Sequence, residues 1–194
     1  IVPLNVAGRV LGVVTWVAGD GGRRFTVEDL AFGEDLAHRA ALAIDTAQLH
    51  SRLRDVATRL QQAVLPAELP VLPGWETAAS YLQAGHSDAG GDFYDVTPLP
   101  GGRLAMFVGD VMGRGVAAAA AMAPMPAAIR ALVAVDPDPG AVLRALDRLF
   151  DHYDFHQLVT VVYAVADPAR DEIVVVNAGH PPPLVRRADG TREF

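Results

Sequence analysis

The chain has 194 residues, 51% of them hydrophobic and 20% charged, with a formal net charge of −7 and a pI near 5.2. That length can bury a sizeable core in one domain or in parts of two, and the composition is that of a globular chain rather than a disordered one. The acidic balance without a basic patch argues against nucleic-acid binding, and the absence of cysteine excludes disulfides and thiolate metal ligands and fits a reducing, cytoplasmic setting.

Residues 1 to 18 read as a hairpin, with Pro3-Leu4-Asn5-Val6, a turn at Ala7-Gly8-Arg9 where Gly8 supplies permissive backbone, and a second strand from Val10 to Val17. No initiator Met precedes Ile1, so a longer parent is expected. Thr26, with Glu28 and Asp29 in the turn that follows, is placed to cap a helix that meets no proline until Pro66. At about forty residues this helix exceeds the usual globular length. Along it Leu42, Thr46, Leu49, Leu53, Val56, Leu60 and Ala63 alternate spacings of four and three, as an a/d seam does. Two readings follow: a coiled-coil homodimer through this helix, or an amphipathic helix packed on its own domain. Pro66 biases Leu65 out of helical geometry, and the stretch from Pro66 to Gly74 reads as a linker.

Beyond the linker, Trp75 to Leu82, Asp92 to Thr97, Arg103 to Asp110, Leu158 to Ala166 and Glu172 to Asn177 read as strands, with Pro98-Leu99-Pro100-Gly101-Gly102 as a hairpin loop. The run from Leu158 to Val165 is apolar at nearly every position, which predicts burial on both faces. Helices are expected from about Val116 to Val133 and from Pro139 to His152. Pro124 and Pro126 would each cost about 3 kcal/mol inside the first of these, which predicts a break near Ala123. The apolar run there is too short and too rich in proline for a membrane span, so no membrane insertion is expected.

Two glycine-flanked carboxylates carry the chemistry. Gly90-Gly91-Asp92-Phe93-Tyr94-Asp95 is followed by Gly109-Asp110-Val111-Met112-Gly113-Arg114-Gly115, with Asp110 eighteen residues after Asp92. Each places an acid at the end of a strand-like run, beside glycine, where backbone can approach a ligand closely. Either one alone is no more than a hairpin end, since Gly and Asp are common turn residues. Brought together, the two acids would suit a hard cation such as Mg²⁺ or Mn²⁺, which prefers oxygen ligands.

With Asn177-Ala178-Gly179-His180-Pro181-Pro182-Pro183, these segments resemble, in order and spacing, the metal-dependent protein serine/threonine phosphatases (PPM) of the bacterial SpoIIE/RsbU-type branch, over about residues 60 to 194. Leu60-Gln61-Gln62-Ala63-Val64-Leu65-Pro66 resembles the Leu-Gln-x-x-Leu-Leu-Pro junction that precedes that domain. The resemblance implies an α+β fold, a four-layer helix/sheet/sheet/helix sandwich, here truncated. It implies two Mn²⁺ or Mg²⁺ ions as cofactors and a phosphoprotein substrate of the anti-sigma-factor antagonist type. By the same resemblance Asp92 and Asp110 are catalytic metal ligands, with Asp110 bridging the ions and the Val111 carbonyl completing a shell, and Asp95 is a further acid behind them. Arg114 is either a phosphate contact or a solvated loop residue; His180 is either a substrate-facing group or a hydrogen-bonded structural histidine.

The hairpin, Arg24-Phe25-Thr26-Val27-Glu28-Asp29-Leu30 and the helix after it resemble the carboxy-terminal end of a GAF sensor domain over about 45 residues. This implies a small-molecule ligand for the sensor, with Trp16 assigned to packing. The expected organisation is 1–45 sensor end, 46–74 linker helix and junction, and 75–194 phosphatase domain. The family places further metal-binding aspartates after the Asn-Ala-Gly-His segment, beyond Phe194, so the parent is expected to be an enzyme and this stretch alone weak or inactive. The competing class is a non-catalytic signalling scaffold, or pseudophosphatase, that binds partners through the long helix.

Overall fold

The computed structural model describes residues 1–19, 21, 24–82, 90–153 and 155–194. The chain divides into two units, Ile1–Leu53 and Arg54–Phe194, with the division inside one long helix. In the first unit β1 (Val2–Val6) pairs antiparallel with β2 (Arg9–Val14) through the Ala7–Gly8 turn. The second strand stops three residues short of the expected Val17.

Helix α1 spans Val27–Val64, starting directly after the expected Thr26 cap and ending one residue before Leu65. Its start is a reciprocal cap: the Asp29 N–H donates to Thr26 Oγ1 at 3.1 Å, and the Thr26 N–H donates to Asp29 Oδ2 at 2.9 Å. Ala37 and Ala41 are buried in the first unit, and Arg9 pairs with Asp45 at 2.6 Å. In the second unit Ala57 is buried against Ala119, where two methyl side chains allow close approach. Leu42, Leu49, Leu53, Val56 and Leu60 of the heptad seam are all exposed.

The second unit contains a four-stranded antiparallel sheet in the order β3-β4-β5-β6, from β3 (Asp92–Pro98), β4 (Leu104–Val111), β5 (Val159–Asp167) and β6 (Glu172–Ala178). The β3–β4 hairpin turns through a single 3₁₀ turn at Pro100–Gly102, where the loop was expected. In β5 every residue from Val161 to Ala166 is buried, as its unbroken apolar run requires. A short pair, β7 (Val185–Arg186) and β8 (Arg192–Glu193), closes the chain. Residues 75–82, expected as a strand, form no ladder; Trp75 instead anchors the linker by donating from Nε1 to the Gly102 carbonyl at 3.0 Å.

Three helices, α2 (Gly115–Met122), α3 (Met125–Val135) and α4 (Pro139–His152), build one core with the sheet, in which Phe93, Phe107, Met122, Ile129, Leu146 and Tyr163 are buried. Both prolines fall at the break between α2 and α3. Pro124 is the N-cap of α3 and Pro126 lies in its first turn, where a missing donor leaves no helical bond unmade. The stretch Gly115–Val135 is long and apolar enough to cross a membrane by composition, yet it is two helices whose Ala119, Met122, Ile129 and Val133 are buried in this core. Helix α4 is capped by Asp138, whose Oδ1 accepts from the Ala141 N–H at 2.8 Å.

The fold class is the expected mixed α+β. Of the four-layer sandwich, the described residues supply one helical layer and one sheet. The opposite face of that sheet forms a groove of about 940 Å³ walled by apolar side chains including Val96, Met106, Val108, Val162 and Val175, the kind of surface a second sheet would cover.

The sheet and its core are packed to contact at Gly109. A β-carbon there would stand 2.3 Å from Phe93 Cζ and 2.8 Å from the Thr160 carbonyl oxygen. Gly109→Ala is expected to destabilise the second unit by about 1–3 kcal/mol through overpacking, read as a lower urea midpoint at unchanged m-value. An unchanged midpoint would show that Phe93 can move aside.

Candidate metal and phosphate site

Antiparallel register places Asp92 of β3 directly opposite Asp110 of β4, and Asp110 directly opposite Thr160 of β5. Residues directly opposite on neighbouring strands project from the same face, so two acids and a hydroxyl form one row across three strands. His180 completes the row: its Nδ1 lies 2.9 Å from Thr160 Oγ1. The Asn-Ala-Gly-His segment is a turn built to hold that ring. Asn177 accepts the His180 N–H on Oδ1 at 2.8 Å and donates from Nδ2 to the His180 carbonyl at 2.7 Å.

Backbone closes the end of the row. The Val111 N–H donates to the Gly91 carbonyl at 3.1 Å, and a β-carbon on Gly91 would lie 2.0 Å from the Val111 carbonyl oxygen and 2.9 Å from Asp110 Oδ1. Only glycine lets the carbonyl and the carboxylate stand where they do. Asp110 is held above its ordinary pKa, first by burial, then by the charge of Asp92 and a hydrogen bond between the two side chains; His180 partly offsets this.

Asp92, Asp110 and Val111 are thus brought together, with His180 beside them. Arg114 is exposed at the start of α2 and does not line the groove that holds the acids. Asp95 differs from its expected position behind the acids. An odd spacing on a strand sends it to the opposite face, where it is buried, accepts from Arg130 of α3 and takes the Val96 N–H on Oδ1 at 2.8 Å. It fastens α3 to the sheet.

Three residues of the site escaped the sequence reading. Thr160 is the one aliphatic hydroxyl in an apolar strand, which was the signal available. Gln61, in the Leu-Gln junction, is fully buried near the end of α1 and donates from Nε2 to the Gly90 carbonyl at 3.2 Å and to the Tyr81 hydroxyl. Tyr81 stacks on Tyr94, with ring centroids 6.5 Å apart and planes at 27°, and carries no motif of its own.

The donor set of two carboxylates and one carbonyl is all oxygen, which fits a hard divalent cation, and the space left by the missing Gly91 side chain lets them converge. Among the described residues no group of three or more His, Cys, Asp or Glu side chains is gathered in this way, so the pair supplies only part of a coordination shell.

Comparison with known proteins bears on the domain rather than on single site residues. Residues 100–194, which include the Gly-Asp-Val-Met-Gly-Arg-Gly and Asn-Ala-Gly-His segments, match the family model of Stage II sporulation protein E. The chain is 29% identical over 145 residues to phosphoserine phosphatase RsbP of Bacillus subtilis, an alignment covering 72% of this chain and 35% of that protein. It is 25% identical over 163 residues to protein IcfG of Synechocystis, covering 69% of this chain and 25% of that protein. The chain therefore spans about a quarter to a third of the length of these curated relatives. A crystal structure of the RsbU and RsbW domains of Rv1364c from Mycobacterium tuberculosis is similar at 35% identity and a TM-score of 0.51, over 57% of this chain and 31% of that one. The SpoIIE-type part of the chain is thus of the SpoIIE/RsbU kind in sequence and in fold.

The raised Asp110 pKa has a signed consequence for stability. A carboxyl that titrates higher folded than unfolded contributes most below its unfolded value, near 3.8, and loses that contribution as pH rises through the folded value. In chelator, Asp110→Asn is therefore expected to raise the melting temperature at pH 7, with the advantage shrinking as pH falls through the folded value and gone below the unfolded value near 3.8. Calorimetric scans of both proteins across that range test it; an asparagine variant no more stable at pH 7 than wild type would contradict the like-charge account.

Proposed function

We propose that this protein is a metal-dependent protein serine/threonine phosphatase whose acid pair, Asp92 and Asp110, holds divalent cations against the phosphate of a partner phosphoprotein. The observation that carries this reading is the register that sets the two carboxylates opposite each other beside the Val111 carbonyl. The SpoIIE-family match and the similarity to a phosphoserine phosphatase support the reaction class.

Asp92 and Asp110 would be the side-chain ligands of Mn²⁺ or Mg²⁺, and the Val111 carbonyl a backbone ligand. Such ions, when bound, supply charge neutralisation for phosphoryl oxygens and a water acidic enough to be used as hydroxide near neutral pH. The protein's share is to hold the two acids side by side on a rigid ladder and to keep Thr160 and His180 hydrogen-bonded beside them. Gly91 and the strand ends leave the acids accessible from the groove. Arg114, exposed at the mouth of α2, is suited to meeting the phosphoprotein rather than the reacting phosphate.

In this reading the substrate is a phosphorylated anti-sigma-factor antagonist, and the protein works in the cytoplasm. Residues 1–45 are the end of a GAF-like sensor for a small molecule, 46–74 the linker and junction, and 75–194 the phosphatase domain. The exposed leucine seam of α1 supports a homodimer through the linker helix.

With the full protein, hydrolysis of a phosphoprotein or an aryl phosphate is expected to require Mn²⁺ or Mg²⁺, and Asp110→Asn is expected to lower it by at least about 100-fold. Undiminished turnover in chelator would sink the metal mechanism. The seam gives a separate expectation: charged residues in place of Leu53 and Leu60 should shift the protein toward monomer without unfolding the sheet, since neither leucine belongs to its core. Sedimentation decides this, and wild type already monomeric at working concentration would leave the helix as a spacer.

A further inference from the structure

Beside the acid row stands a phenol whose hydrogen-bonding direction is fixed by its neighbours. The Gln61 side-chain amide contacts the Gly90 carbonyl at 3.2 Å, and a carbonyl can only accept, so the nitrogen must face it. That same nitrogen donates to the Tyr81 hydroxyl oxygen. With its oxygen engaged as an acceptor, Tyr81 keeps its own O–H free to donate elsewhere. Stacking on Tyr94 restrains the ring, and Tyr81 lines the groove that also holds Asp92, Asp110, Thr160 and His180.

The charges sensed by this hydroxyl are those of Asp92 and Asp110. Burial first, and then these charges, raise the phenol above its ordinary value of 10.0, so it remains a donor throughout the neutral range. Once divalent cations occupy the two carboxylates, those oxygens are engaged by metal. The anion then left beside the phenol is the one that the cations themselves recruit.

Resting on the phosphatase reading above, we propose that Tyr81 is a phosphate ligand, its hydroxyl donating to a non-bridging phosphoryl oxygen at the Asp92–Asp110 pair. A neutral donor suits this place: it binds the dianion without adding a cation that would compete with the metals, and its position does not depend on the identity of the phosphorylated residue.

Tyr81→Phe keeps the ring and its stacking and deletes only the hydroxyl. A lost hydrogen bond to a charged group predicts about 10- to 100-fold weaker binding of inorganic phosphate, measured by titration calorimetry on the full protein saturated with Mn²⁺. Mn²⁺ affinity is expected to stay at the wild-type value, and KM for an aryl phosphate is expected to rise with the phosphate dissociation constant. Phosphate binding equal to that of wild type overturns the assignment. So does a loss of Mn²⁺ affinity in the phenylalanine variant, which would mean that the hydroxyl orients Asp92 or Asp110. If wild type itself binds no phosphate in Mn²⁺, the phosphatase reading fails and this one falls with it; wild-type binding matched by the variant removes Tyr81 alone.

Discussion

Two carboxylates set opposite each other on one face of an antiparallel ladder are the constraint on which the rest of the second unit depends. Like charges in that position repel, and a sheet free to choose its register would avoid them. The register is locked from the other face. Phe93 follows Asp92 on β3 and meets Phe107 of β4 edge to face, with centroids 6.1 Å apart, inside the core beneath the helices. A slip of one residue would turn Phe93 into the groove and Asp92 into the core, at a cost well above the repulsion it relieved. Core packing thus holds the acids together, and what remains is to neutralise them, by a shared proton in the free protein or by a cation.

The same alternation explains why neighbouring acids do different things. Asp92 and Asp95 lie three residues apart on one strand and so face opposite sides of the sheet. On the groove side Asp92 faces a second carboxylate, Asp110, and no cation of the protein's own stands between them among the described residues. On the helical side Asp95 has a guanidinium and a backbone N–H as partners, and a buried acid so satisfied is a fastener. Reading the pair as one acidic cluster overlooks the period of two that separates them.

Much of this was legible in the sequence because local rules and tertiary needs coincide. The capping residues of α1, the unbroken apolar run of β5, the proline break between α2 and α3 and the glycine-flanked acids each follow from one residue type in one backbone position. The expected strand at 75–82 failed because residues that suit a strand do not by themselves supply a partner, and Trp75 found its hydrogen bond on a loop carbonyl instead. Thr160, Tyr81 and Gln61 stayed hidden for another reason. Their meaning lies in what faces them across strands or across twenty residues of chain, and composition near each of them carries no trace of that neighbour.

Gln61 also shows how the end of α1 and the acid pair come to share one segment. The helix approaches α2 through Ala57 and Ala119, so its last turns sit close enough for a fully buried amide to reach the Gly90 carbonyl, two residues before Asp92. Both contacts of Gln61 Nε2 are made inside protein, and its Oε1 has no donor among the described residues. Withdrawing the helix end would strand the Gly90 carbonyl and the amide in a buried place, at about 1–3 kcal/mol for each group left unpaired. The seating of the helix end is thus tied to both contacts of one buried amide. In a segment whose next residues are Gly91 and Asp92, that seating bears directly on where the first carboxylate stands.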